Sequence, residues 1–147
     1  MKKGLKLVAV LLVLACVITC FSACTGEKGE VTLVVMIGEE SASYVVDTTG
    51  RDMEYLVDLL NYLKDNEEFT YVDAGGMVSS VNDYEAKSEN HEFWAIYTDC
   101  VVGDIPYFDR TWGTVEYSGV TYGSALKGIV ELPLTGGATY LLAISTW

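Results

Sequence analysis

Phe69–Trp94 reads FTYVDAGGMVSSVNDYEAKSENHEFW, and the fold is decided by how that stretch is read. It opens with the β-branched and aromatic run Phe69–Val72, reaches Gly75-Gly76, and continues with a second run, Met77–Val81. Two such runs separated by glycines predict strands joined by a tight turn. After a polar loop, Phe93–Thr98 (FWAIYT) supplies a third apolar strand. The glycines admit two readings: a turn that needs positive φ, or a point where another group approaches the backbone closely.

Upstream, Thr49-Gly50-Arg51-Asp52 resembles a capping box, with a threonine and an acid three residues on. Met53, Leu56, Val57, Leu60 and Leu63 follow at spacings of three and four. They predict the buried face of a helix of about three turns. Val31–Gly38 (VTLVVMIG) is strongly β-prone, Gly38–Ser43 reads as a loop, and Tyr44–Thr48 as the returning strand of a hairpin.

Downstream, Cys100–Gly123 carries Pro106, Tyr107, Phe108, Trp112, Tyr117 and Tyr122 among several glycines. Thr114–Tyr117 and Gly119–Tyr122 predict a small hairpin around Ser118-Gly119. Exposed aromatics there would suit an apolar or flat ligand, and buried ones would cap the core; the sequence leaves both open. Ser124–Ile129, a turn at Thr135-Gly136-Gly137 and a last strand, Thr139–Trp147, close the chain. The order is β-β-α-β-β-β, then an aromatic hairpin insertion, then a C-terminal strand. That is an α+β fold with one helix laid across a mixed sheet, similar to the β-grasp arrangement.

The 147 residues suffice for one compact domain. Met1–Cys24 has a basic start (Lys2, Lys3, Lys6), an apolar run from Leu5 to Ile18, and the small-residue ending Phe21-Ser22-Ala23-Cys24. This resembles a bacterial lipoprotein signal: residues 1–23 would be removed and Cys24 lipidated, although Phe21 stands where leucine is usual. The run is too short and too soon interrupted to be read as a membrane span. Residues 24–30 are then expected to be a polar tether, and 31–147 the domain.

Loss of the signal would take three of the nine basic residues and none of the 21 acids, leaving about −15. Such a surface repels nucleic acid. Cys100 would be the one thiol of the mature domain, so no internal disulfide is expected, and it reads as a half-buried structural cysteine.

The chain after the signal resembles the C-terminal β-domain of transcobalamin and intrinsic factor, and the small bacterial lipoproteins that carry that domain. The resemblance covers Thr49–Trp147, with Val31–Thr48 as the first hairpin. It rests on landmarks in order: the leucine-faced helix before Phe69-Thr70-Tyr71, Gly75–Val81 (GGMVSSV), Glu92-Phe93-Trp94, Leu126-Lys127-Gly128-Ile129, and a last strand finishing at Trp147.

In the vitamin carriers this domain closes over one face of cobalamin. The resemblance therefore implies corrinoid contacts from Gly75, Gly76 and Met77, and from Ser124, Ala125 and Leu126, which should form one open rim. A corrin is a broad apolar ring fringed with amides, suited to close glycine backbone and a few apolar side chains. The carriers' separate helical domain has no counterpart here, so a transporter or second binding protein would be needed to cover the other face. The segment Cys100–Gly123 is longer than in the family, and Tyr107, Phe108 and Trp112 either add ligand surface or fill the site. Trp94 matches the family's tryptophan and is expected to pack in the core.

His91 could ligate cobalt in principle, but it stands in a polar loop without a spaced partner, and no metal site is expected. There is no serine–histidine–acid spacing, phosphate loop or metal-ligand cluster, so no cofactor-dependent or other catalysis is expected. Asp99–Asp109 lacks the calcium spacing of an EF-hand. Two functions remain: a lipid-anchored corrinoid-binding module, or an anchored interaction module that binds a protein or envelope polymer.

Overall fold

The computed structural model describes residues 26–147; the signal segment and Cys24 lie outside them. The strands are β1 (Glu30–Ile37), β2 (Glu40–Asp47), β3 (Tyr71–Ala74), β4 (Met77–Val81), β5 (Tyr84–Glu85), β6 (Glu92–Thr98), β7 (Val101–Val102), β8 (Ile105–Pro106), β9 (Phe108–Tyr117), β10 (Val120–Ala125) and β11 (Thr139–Thr146). Among the described residues, one α-helix, α1 (Leu56–Asn66), falls between β2 and β3.

Six strands form the main sheet in the order β2-β1-β11-β6-β10-β9. The last strand runs parallel to the first, Leu33 opposite Tyr140, while its other neighbour, β6, is antiparallel to it. Placing the C-terminal strand beside β1 closes the fold across its centre. Smaller sheets, β3-β4-β5 and β7-β8, flank it. The predicted α+β architecture with one packed helix is the architecture found.

Leu56, Leu59, Leu60 and Leu63 are fully buried and lie against Leu33, Val35, Tyr140 and Leu142 in the main core. Leu59 joins the stripe the spacing pointed to; Met53 is buried too, but just before the helix. The helix begins at Leu56 rather than directly after Thr49–Asp52. The Asp58 carboxylate accepts the Glu54 and Tyr55 N–H groups (2.9 and 2.8 Å), which fixes the start there. A second, smaller core on the opposite sheet face holds Val34, Tyr97, Tyr122, Leu141 and Ala143.

Several local expectations are corrected. Gly38, at φ +63°, makes a two-residue turn with Glu39, so the expected loop Gly38–Ser43 is mostly strand and β2 begins at Glu40. The third strand starts at Tyr71 rather than Phe69, whose side chain is buried in the core. Cys100 is wholly buried, not half-buried, with Sγ 3.4 Å from the Pro133 carbonyl.

The aromatic hairpin is longer than predicted. Ser118 and Gly119 take φ of +50° and +78°, as a tight two-residue hairpin turn requires. Farther along, Gly123 pairs with Thr114 but Ser124 pairs with Asp109, so Arg110–Gly113 is looped out of β9.

The expected tether is also revised: the part of it within the described residues is docked. Gly136 donates to the Glu27 carbonyl and Gly137 to that of Glu30, each at 2.7 Å. Buried Thr48 grips Gly29 at both ends: its backbone N–H and its hydroxyl donate to the Gly29 carbonyl, and its hydroxyl accepts the Gly29 N–H.

Candidate functional site

The β3–β4 turn is built from two consecutive left-handed glycines, Gly75 at φ +62° and Gly76 at φ +84°, and the Asp73 carboxylate accepts the Gly76 N–H at 3.2 Å. Side chains resist that backbone region, so the glycines are needed for the turn itself. The turn then serves the other reading as well. A Cβ added at Gly76 would sit 3.5 Å from Val130 Cγ2, and one at Gly128 would sit 3.4 Å from the Gly76 carbonyl. The hairpin tip therefore adjoins the loop that leaves β10.

That loop is held firmly from beneath. Leu126 donates to the Tyr107 carbonyl (3.0 Å), and Leu132 to that of Gly128 (2.9 Å). The first helical N–H groups, which have no partner inside a helix, donate to the loop: Leu56 to Leu132 and Val57 to Ile129, both at 2.9 Å. Ile129 and Leu132 are fully buried. With those two side chains pointing inward, Leu126 (42% exposed), Val130 (51%) and, from the hairpin tip, Met77 (76%) are left on the surface.

Beside them a cleft of about 290 Å³ is lined by Tyr55, Tyr107, Lys127, Val130, Glu131 and Pro133. The Lys127–Glu131 pair at 4.0 Å is exposed and contributes little. The cleft's firm wall is Pro133, whose carbonyl accepts the Tyr140 hydroxyl at 2.7 Å while that hydroxyl accepts the Thr135 N–H at 3.0 Å. Burial pushes the Tyr140 phenol far above its ordinary range, and burial also raises the Cys100 thiol, which suits a structural rather than a reactive cysteine.

The residues expected to form the rim are only partly gathered. Gly76 and Met77 lie at the hairpin tip and Leu126 opens the neighbouring loop, whereas Gly75 has nothing within 4 Å of its Cβ position. Ser124 and Ala125 are strand residues of β10, with Ser124 paired to both Tyr97 and Asp109. They are half-buried in the sheet, and their places beside the tip are taken by Gly128 and Val130. Tyr55 and Val130 carried no sequence signal as site residues.

The three aromatics separate. Tyr107 is half-buried and walls the cleft rather than closing it. Phe108 packs on Gly123, where a Cβ would meet its ring at 2.7 Å. Trp112 stands 73% exposed on the looped-out segment.

Trp94 is buried in the main core, edge-on to Tyr84 at 6.2 Å. His91 is exposed, in a left-handed conformation after a short 3₁₀ turn, with Trp147 edge-on to it at 5.3 Å. Next to it, Glu92 accepts from the Lys87 N–H, Asn90 and the Tyr84 hydroxyl. The Lys87 bond foremost holds its carboxyl below the usual range, and its own bond to Tyr84 raises that phenol. The segment Asp83–Glu89, which includes β5, borders a separate open hollow of about 500 Å³. Among the described residues, no three His, Cys, Asp or Glu side chains gather as metal ligands.

No family model and no curated protein matches the chain. Among solved structures, it is similar to a crystal structure described as that of a candidate metal binding protein from Ruminococcus gnavus. The two share 14% identity and a TM-score of 0.54, over 82% of this chain and 99% of the other. At that identity the likeness concerns the fold alone.

Proposed function

We propose that the protein is a membrane-anchored, extracytoplasmic binding module, without catalytic function, that takes cobalamin or a related corrinoid on the rim formed by Gly76, Met77, Leu126 and Val130. The observation that carries this reading is the contact of Gly76 with Gly128 and Val130, which sets close backbone and exposed apolar side chains beside an open cleft. Pockets that enclose drug-sized ligands run to roughly 300–1,000 Å³. A cleft at the bottom of that range receives one edge of a corrin and leaves the opposite face to a transporter or second binding protein. The anchor in this reading is the lipidated Cys24.

Titration of residues 25–147 with cyano- and hydroxocobalamin, followed by calorimetry and the corrin absorption bands, tests the proposal. Saturable binding weakened by Gly76→Trp supports it; no heat and no spectral change across the micromolar-to-millimolar range sinks it for the isolated domain. A band shift lost in His91→Ala would add cobalt ligation, which the proposal does not include.

A second reading is favoured by Trp112 and Arg110. They lie on the looped-out part of β9, with Arg110 stacked over Phe108 at 5.3 Å, and both residue types are enriched at protein interfaces. An interaction module would bind a protein or envelope polymer there, and Trp112→Ala would abolish that binding while leaving the rim untouched.

A further inference from the structure

The N-terminal segment offers a surface that the sequence did not suggest. Gly26–Glu30 lies against the turn before β11, too closely for side chains. A Cβ at Gly26 would fall 2.1 Å from the Leu134 carbonyl oxygen, and one at Gly136 would fall 2.9 Å from the Gly29 Cα. Backbone bonds from Gly136 and Gly137, the grip of Thr48 on Gly29, and the bond from Lys28 Nζ to the Met53 carbonyl hold the same segment. Steric fit and hydrogen bonding agree: this is a docked strap.

We infer that this end of the domain lies flush on the lipid bilayer, so that the membrane surface is the partner of the strap and its neighbouring turns. The inference rests on the anchoring reading above. Only Thr25 separates Cys24 from docked Gly26, and two peptide steps reach at most about 7 Å. A lipidated Cys24 therefore has no slack with which to hold the domain away from the membrane.

The orientation follows from the topology. β1 leaves the strap end, and β11, parallel to it, starts at the same end. Thr146 at the far end of β11 pairs with Glu92, next to the Ser88–Asn90 turn. The eight residues of β11 span about 23 Å at ~3.3 Å per step, so the far end of the sheet stands up to that distance beyond the strap end.

The cleft wall Pro133 directly precedes Leu134, whose carbonyl touches Gly26. The cleft is thereby kept close to the bilayer, within reach of a partner embedded in, or anchored to, the same membrane.

The test uses the full chain, lipidated in a bacterial host and reconstituted in phosphatidylcholine vesicles that carry an acceptor-labelled headgroup. A donor dye is placed on Thr49→Cys, beside the strap, or on Glu89→Cys, at the far end. Both positions are exposed, and Cys100 is buried from the reagent. Energy transfer is expected to be severalfold stronger at position 49. Inserting about twenty Gly/Ser residues between Thr25 and Gly26 should bring it down to the level at position 89. Equal transfer from both positions in a chain that partitions into detergent and carries the lipid mass would overturn this inference alone. A chain that neither partitions nor carries lipid would overturn the anchoring reading and this inference together.

Discussion

Two glycine contacts, one at each side of the loop between β10 and β11, do opposite things. At the strap, Gly26, Gly29 and Gly136 press backbone on backbone, with no room for a Cβ at Gly26 or Gly136. At the rim, a Cβ added to Gly76 would stand at an ordinary van der Waals distance of 3.5 Å from Val130, and the need for glycine there is conformational, a φ of +84°. The first contact closes a seam. The second turns a chain so that a surface stays open. Glycine at a strand junction is thus not one signal, and the distinction lies in what a side chain would meet.

Substitutions can break or sharpen that contrast. The largest effect is expected beneath the rim: Leu132→Ala empties a fully buried position whose carbonyl caps α1, and should cost about 3 kcal/mol in urea unfolding. It should also weaken any ligand at the rim, because the loop loses its footing.

Gly136→Ala should cost about 2 kcal/mol by overpacking, since the new methyl meets backbone rather than a yielding side chain. Thermal unfolding checks this. If the change is neutral, the seam is softer than the distances imply.

Tyr140→Phe removes the hydroxyl that joins Thr135 to Pro133 and should cost about 1–2 kcal/mol at neutral pH. The pH dependence has a definite sign. Folding favours the neutral phenol, so its contribution is complete below the unfolded value of about 10 and declines as the unfolded chain ionises above it. Chemical denaturation between neutral pH and the alkaline limit should fall more steeply for the wild type than for Tyr140→Phe. Parallel curves would contradict this.

Gly76→Ala has space but the wrong φ, and should cost about 1 kcal/mol. Met77→Ala, exposed at the tip, should change stability by less than about 0.5 kcal/mol while weakening corrinoid binding. That split between stability and binding separates rim residues from seam residues.

Much of the fold was legible because it is carried by local pattern. The helix stripe buries Leu56, Leu60 and Leu63 while Val57 stays half-buried, and the apolar runs of β1 and β6 carry Val31, Leu33, Val35 and Trp94 into the core. Glu40–Ser43 was not legible as strand: small polar residues at a sheet edge look like loop unless Gly38-Glu39 alone is seen to make the turn. The loop-out of Arg110–Gly113 has no period to betray it.

The site was legible in one half. Gly75-Gly76 announces a turn, but its contact with Gly128 and Val130 joins segments some fifty residues apart, and only the packing of Ile129 and Leu132 beneath them decides which side chains face outward. The reach of the strap is equally non-local. Polar, glycine-containing Thr25–Glu30 reads as a tether until Gly136 is brought against it.

The most direct test of the account is backbone amide NMR of residues 25–147 during addition of cyanocobalamin. The account predicts saturable shifts concentrated at Gly75–Met77 and Leu126–Glu131, with Arg110–Gly113 and the strap unmoved. Shifts confined to Arg110–Gly113, or none at saturating ligand, would contradict a corrinoid site at the rim.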